Sequence, residues 1–494
     1  ADMSADSLKV LMVTSEAVPL AKAGGLGDVI PALSKALKAS GTDVRILMPR
    51  YYFIDRNGLR STGRRVSVHL GWQEYRADVL ETVLPGTDIP FYLLENEILY
   101  GRDGIYGSRE EPEFHDNLRR FSFLSAAAFR VCDGIGWRPD IIHCHDWPTA
   151  LVPIYRNRGE ASAWEKRPAV VYTIHNLGYQ GVFPFGDADS SALSYEEVYR
   201  YGIAHGNNLN LMQGGLVNAD ILTTVSPTYA REIQLPEQGY GMDEILRARS
   251  AGLRGILNGI DYETWNPETD KYLPFPYSVN DLSHKARVKA FLQRELGLPV
   301  RPGIPLFGMV SRMVEQKGFV ELCNGVNGSL PAILSEMDLQ FAVLGSGERW
   351  IEEALKGLAS RHPNMAVRIG FDDRLAHLIE AGSDFFLMPS RYEPCGLNQI
   401  YSLRYGTLPI VRRTGGLADT VENYSETTGE GTGFVFDSLS PSVLYDVVGW
   451  ASHTWYNRKS HVNRMRKRAM TRRFSWEDSA RQYIEVYLKA LGRE

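Results

Sequence analysis

Several short segments of this chain carry side chains suited to chemistry on an anionic or hydroxylated ligand. One is KAGGLGD over residues 22–28. Gly24 and Gly25 let backbone approach a ligand without a Cβ in the way, and a helix opening behind them turns free N–H groups towards phosphate. Lys22 adds a point charge; the plainer alternative is a tight turn with a surface lysine. Arg312 and Lys317 follow directly on a buried apolar run. Two cations at the carboxyl end of a strand suit a diphosphate, which Arg can bind bidentately, although surface charge is common there. In SRYEPCGLNQ over 390–399 an expected strand ends at Pro389, a Glu-Pro turn follows and Gly396 opens a helix. Glu393 and several backbone N–H groups thereby meet at one strand end, unless Glu393 merely caps the helix. Cys395 reads as a packed thiol, since nothing in the sequence argues for a depressed pKa. His143 and His145 alternate along a strand and share a face, but no further ligand cluster accompanies them, so no metal is expected. Asp146 and Trp147 suit sugar hydroxyls and a sugar face, and His175-Asn176 is similarly placed; a satisfied buried histidine is the alternative.

These segments need a scaffold that aligns strand ends. Apolar runs over 9–15, 43–48, 89–94, 140–145, 169–174 and 221–225 alternate with helical or loop segments, such as the helix carrying Ile30, Leu33 and Leu37. The pattern restarts after Asn266-Pro267, with strands over 306–311, 339–344, 366–370, 384–388 and 408–411 and helices such as 374–381. Such alternation predicts α/β architecture: two doubly wound Rossmann-like domains facing a central cleft, with strand carboxyl ends turned to it. Residues 261–283, rich in Pro and Tyr, read as the linker, and a last helix over 476–491 is free to pack on either domain. RTGGLAD over 413–419 repeats the pattern of residues 22–28, which predicts a pair of anion-facing loops at equivalent positions.

At 494 residues the chain exceeds one core. Its 54 Lys and Arg against 59 Asp and Glu give a formal charge of −5. The basic tail around 464–473 reads as a solvated helix face, so no nucleic-acid partner is expected. Four scattered cysteines form neither a disulfide framework nor a zinc pattern, which points to a reducing compartment. No apolar run of membrane-spanning length is present. The first apolar stretch is short and runs straight into folded-looking sequence, unlike a secretory signal. Ala1-Asp2 reads as an expression remnant or a processed start.

Taken together the segments resemble the bacterial glycogen synthase and plant starch synthase family. The matches are KAGGLGDV at 22–29, HDW at 145–147, TIHNLGYQG at 173–181, TVSPTYAREI at 224–233, LNGID at 257–261, SRMVEQKG at 311–318, SRYEPCGLNQ at 390–399 and RRTGGLADTV at 412–421. They keep the family's order across nearly the whole chain. The resemblance implies a GT-B fold and cofactor-free, metal-independent transfer of glucose from ADP-glucose, or UDP-glucose, to the non-reducing end of an α-1,4-glucan with retention. A catalytically silent glucan-binding protein of the same fold is the alternative. The resemblance implies an acceptor-side domain over 1–260, onto which the helix within 476–494 can pack back, and a nucleotide-sugar domain over 261–475. Lys22, Arg312 and Lys317 would hold the diphosphate, His175 the transferred glucose and Glu393 its hydroxyls. Gly24, Gly25, Asp28, Asn258, Phe371, Cys395, Gly396, Leu397 and Asn398 would line the nucleotide-sugar site, and Asp146, Trp147 and Asn176 the sugar and acceptor side. A bacterial cytoplasm, or a plastid stroma or starch granule, is the implied location. Departures are Ala23 and Asn398 where Thr is usual, and Phe371 where a Tyr often lies near the adenine. Tyr401 stands where the wider retaining GT-B pattern has a second Glu, which excludes ribose binding by a carboxylate there.

Overall fold

Continuous apolar runs become central strands because helices cover both faces of a parallel sheet. In the computed structural model, which describes residues 8–492, the runs KVLMV, IIHCH and AVVYTI form β1 (Lys9–Val13), β6 (Ile141–His145) and β7 (Ala169–Ile174), almost entirely buried. Ala1, Asp2 and the final residues of the tail lie outside the described residues. The chain divides into two compact units: residues 8–259 with 476–492, and Ile260–Ser475.

The first unit is built on a nine-stranded sheet in the order β12-β11-β7-β6-β1-β2-β5-β4-β3. Here β2 is Asp43–Pro49, β3 Arg60–Leu70, β4 Gln73–Val83, β5 Pro90–Glu95, β11 Ile221–Thr224 and β12 Leu253–Gly255. A small antiparallel sheet of β8 (Val182–Pro184), β9 (Ala204–His205) and β10 (Asn208–Asn210) flanks it. The β3–β4 hairpin is antiparallel, so the sheet is mixed at one edge. Periodicity over buried runs misses it because each strand buries chiefly one face, Val66, Val68 and Leu70 in β3 and Tyr75, Ala77 and Val79 in β4, with polar and charged residues between and beside them. The helix Leu26–Ala39 buries Ile30, Leu33 and Leu37 on the sheet. Trp476–Ala490 packs on this unit through Ala480, Tyr483, Val486 and Tyr487, and Ser479 Oγ donates to Leu257 O at 2.5 Å.

The second unit holds a six-stranded, wholly parallel sheet in the order β15-β14-β13-β16-β17-β18. These are β13 (Leu306–Val310), β14 (Gln340–Gly345), β15 (Met365–Ile369), β16 (Phe385–Met388), β17 (Leu408–Arg412) and β18 (Phe434–Phe436). Residues 261–283 do not form the expected linker. Trp265 stacks between His377 and Tyr401 with centroids 3.7 and 3.8 Å away, and Tyr277 donates to Tyr405 O at 2.7 Å. Aromatic rings too large to leave in water tie the segment into the second core.

In each sheet the order of the parallel strands reverses near the centre, between β1 and β6 and between β13 and β16; the first sheet turns again at its antiparallel edge, β5-β4-β3. At such switch points the flanking connections depart to opposite faces and leave a crevice at the strand carboxyl ends.

Candidate active site

At the switch point of the second unit, the loop after β13 carries Arg312 and Lys317 and the loop after β16 carries Glu393. Hydrogen bonds to backbone carbonyls fasten the two loops together. Arg391 N donates to Gln316 O at 2.8 Å, Gln316 Nε2 to Tyr392 O at 3.1 Å and Asn398 Nδ2 to Val310 O at 3.3 Å. Gly318 has a φ of +88°, and a Cβ there would lie 2.1 Å from Pro389 O, so only glycine lets the loops approach this closely. Lys317 Nζ then reaches Glu393 Oε2 at 2.8 Å, and Ser390 Oγ donates to the same oxygen at 2.9 Å. Glu393 is buried and Arg312 exposed. Gly396 takes a φ of +75° just before the short helix Asn398–Arg404, whose N-cap is Leu397. Cys395 is buried in the same turn. Phe371 stands apart, beyond β15 at the sheet edge and 85% exposed.

The repeated glycine loop does not do the expected work. Gly415 has a φ of +46°, and a Cβ there would sit 1.7 Å from Glu393 O. Gly416 N donates to Glu393 O at 3.2 Å, and Arg413 pairs with Asp437 at 2.8 Å. This loop backs the Glu393 turn instead of facing an anion.

The first-unit loop is open by contrast. A Cβ at Gly24 or Gly25 would meet nothing within 4 Å. Lys22 Nζ lies 2.6 Å from Asp28 Oδ2, both partly exposed. The Ala23 and Gly24 N–H groups, however, are turned onto Glu16 Oε1, each at 2.7 Å. The Gly24 N–H is therefore taken by a buried carboxylate, and Gly24 lines the loop through its backbone. Sequence reasoning missed Glu16, because a single Glu just beyond a strand looks like any surface acid.

Behind this loop, β6 and β7 deliver three histidines. His143 is buried, with Nδ1 2.7 Å from Tyr487 OH and Nε2 2.6 Å from Thr173 Oγ1. His145 Nε2 lies 3.4 Å from Met12 Sδ and its Nδ1 lies 2.9 Å from His175 Nε2. A thioether only accepts, so this network puts the His145 proton on Nε2. His145 Nδ1 then accepts from His175 Nε2–H, and His175 Nδ1 keeps a lone pair for a ligand. Desolvation pushes the pKa of His175, and of His143, down to about 3, which keeps both rings neutral near pH 7.

Asp146 follows β6 with φ 59° and ψ −174°, a backbone region that strongly favours glycine. Its Oδ1 accepts from His175 N at 2.7 Å and from Asn176 N at 3.4 Å, which holds the turn after β7. Desolvation raises its pKa to about 7, against those two hydrogen bonds and with a smaller push from the Glu16 charge. Trp147 meets Phe121 edge-on at 5.1 Å and lies against Gly181, whose Cβ would come within 2.6 Å of the indole. Asn258, beyond β12, is buried with its Oδ1 unpaired, an acceptor available to a ligand. Within the first unit the structure therefore gathers Lys22, Gly24, Gly25, Asp28, Asp146, Trp147, His175 and Asn176 at neighbouring strand ends, with Asn258 nearer the sheet edge. Within the second it gathers Arg312, Lys317, Glu393 and residues 395–398, and leaves Phe371 outside.

Residues 9–248 match the family model described as the starch synthase catalytic domain, and residues 297–471 match that of glycosyl transferases group 1. The chain is similar to the glycogen synthase of Treponema denticola, 51% identical over 99% of each chain. It is likewise similar to glycogen synthase 1 of Geobacter metallireducens, 47% identical over 98% of this chain and 97% of that one. Among solved structures, the catalytic domain of starch synthase IV from Arabidopsis thaliana bound to ADP and acarbose matches with a TM-score of 0.88 at 32% identity, over 98% of this chain and 100% of that one. A sucrose-phosphate synthase from Thermosynechococcus elongatus, 16% identical with a TM-score of 0.60 over 99% of this chain and 100% of that one, shares the fold.

Proposed function

Because this chain belongs to the glycogen synthase and starch synthase family of GT-B glucosyltransferases, we propose that it moves glucose from ADP-glucose to the non-reducing end of an α-1,4-glucan, with retention. The observation that carries the proposal is the Lys317–Glu393–Ser390 cluster beside Arg312, at the switch point of the second sheet. On the second unit Arg312 and Lys317 bind the pyrophosphate, and on the first unit Lys22 presents a charge to phosphate. Glu393 Oε2 is taken by Lys317 and Ser390, so Oε1 is the oxygen that accepts from glucose hydroxyls. Backbone N–H groups at residues 396–398 complete the nucleotide-sugar site, and the base extends away from that cluster towards exposed Phe371 at the sheet edge. His175 accepts from a hydroxyl of the transferred glucose through Nδ1. On the first unit Gly25, Asp28 and Asn258 serve the nucleotide sugar, while Asp146, Trp147 and Asn176 serve the sugar and acceptor side. The second unit is then the nucleotide-sugar domain and the first the acceptor side. A reducing cytoplasm is the proposed location, in keeping with four buried free cysteines and bacterial relatives.

Departure of ADP builds negative charge on phosphate and positive charge on the sugar, and catalysis requires both to be neutralised more strongly in the transition state. Fixed cations and oriented backbone dipoles meet the first need. For the second we favour front-face attack, with the departing phosphate taking the acceptor proton. Trapping a covalent glucosyl-enzyme on Glu393 or any other side chain would refute that step. Donor competition tests the whole: labelled ADP-glucose and UDP-glucose are offered with a maltooligosaccharide, and chain-extended α-1,4 products are analysed. Extension chiefly from ADP-glucose is expected; donor turnover without glucan growth would sink the assignment.

A further inference from the structure

We propose that Glu16 is a positioning residue for the donor, its carboxylate holding the glycine loop in the shape that presents Lys22 and Gly25 to phosphate. The inference rests on the donor role given above to that loop. Glu16 is 4% exposed, and its two oxygens divide the work. Oε1 accepts from Ala23 N and Gly24 N, both at 2.7 Å, while Oε2 accepts from Tyr106 OH at 2.5 Å. With the Tyr106 proton committed to Glu16, Ser15 Oγ, 2.7 Å away, donates to the phenol oxygen and fixes its direction. Thr14 Oγ1 anchors Glu16 at its own backbone, donating to its carbonyl at 2.7 Å.

What makes this more than a buried acid is that packing does not hold the glycines. A Cβ built at Gly24 or Gly25 would meet nothing within 4 Å beyond its chain neighbours, so hydrogen bonds rather than side-chain packing hold them. Their carbonyls accept from Gly27 N at 3.3 Å and Asp28 N at 3.1 Å, and on the amide side Glu16 takes the Gly24 N–H. Glycine loses the most freedom when a loop is ordered. The loop's base is closed elsewhere, by Val18 N to Gly27 O at 2.9 Å and by Ala21 N to Ala17 O at 3.0 Å. Its crest, next to Lys22, is held by the Glu16 carboxylate. A charged acceptor serving two amides is also a strong form of that restraint.

Steady-state kinetics on the full chain test the inference, with ADP-glucose and maltooligosaccharide each varied at saturation of the other. Glu16→Ala and Glu16→Asp should raise the donor KM by about tenfold, roughly one lost charge-assisted hydrogen bond, and leave the acceptor KM within about twofold. Glu16→Gln keeps an acceptor oxygen for both amides and should stay within about threefold of wild type. Amide hydrogen exchange at Ala23 and Gly24 should quicken in Glu16→Asp and remain slow in Glu16→Gln. If Glu16→Ala fails to fold, Glu16→Asp and Tyr106→Phe carry the same comparison. An unchanged donor KM in Glu16→Asp and Tyr106→Phe, while Lys22→Ala raises it, overturns the inference. Donor and acceptor KM rising together with a lowered urea midpoint would show a structural role only, and also overturn it. Lys22→Ala with a normal donor KM would remove the loop's phosphate role itself, and Glu16's role with it.

Discussion

Arg312 and Lys317 differ in what surrounds them, and their substitutions should differ accordingly. Arg312 is exposed, whereas Lys317 neutralises the buried Glu393. Removing one preorganised donor to a developing oxyanion typically lowers rate by about 10²–10³, and that range is expected in kcat for Arg312→Ala. Lys317→Ala should show it together with a lower urea midpoint, because a buried carboxylate loses its partner. Near-wild-type kcat would remove either residue from the chemistry. Asp146 offers a pH test. Its pKa is raised from 3.8 to about 7, so between those values the folded chain binds more protons than the unfolded one. Its contribution to stability therefore falls as pH rises through that window and levels off above it. Asp146→Asn removes this dependence and keeps an acceptor for His175 N–H. The melting-temperature difference, variant minus wild type, should grow from pH 4 to pH 7 and then flatten, at about those limits. A difference independent of pH would mean that the carboxyl is not desolvated. His143 and His175 act in the opposite sense, being lowered from 6.5 to about 3: the stability they favour is present above 6.5 and lost as pH falls towards 3.

At the scale of elements, loops rather than strands decide what the site residues can reach. Gly318 lets the loop after β13 lie on Pro389, and Gly415 lets the following turn lie on Glu393. Gly318→Ala forces both a left-handed φ and a 2.1 Å clash with Pro389 O. A loss of about 1–3 kcal/mol in urea unfolding is expected, with kcat reduced because Lys317 adjoins the displaced residue. An unaltered midpoint would mean that the two loops are not in contact. The strands themselves were legible in the sequence wherever both faces are buried, as in β1, β6, β7, β13, β14 and β16. The β3–β4 edge hairpin was not, because one face lies in water and its inward side chains alternate with polar or charged ones such as Ser67, His69 and Arg76. Three-residue strands such as β12 and β18 are too short to show any period.

For the whole molecule, the two units carry separate cores, and the final helix returns to the first. Ala480, Tyr483, Val486 and Tyr487 are buried there, and Tyr487 also meets the ring of His143. Deleting residues 476–494 exposes apolar surface worth about 5 kcal/mol or more, comparable to a typical domain's stability of about 5–15 kcal/mol. Calorimetry should show the first unit's transition lost or sharply lowered and the second unit's little changed. Equal loss in both would show that the helix serves both units.

By itself the amino-acid sequence determined the α/β class, the central strands and the ordered motifs of the family, because buried parallel strands and glycine-cation loops are local patterns of residue type. It also named Arg312, Lys317, Glu393 and His175, whose side chains advertise their chemistry. Only the tertiary structure decided which of two near-identical glycine loops stays open and which is packed, since that depends on what chain lies against them. Tertiary structure alone likewise set the burial of Glu16 beneath the loop, the histidine relay ending on Met12, and the raised pKa of Asp146. Each of these comes from contacts and desolvation between segments far apart in the chain, which no local pattern encodes.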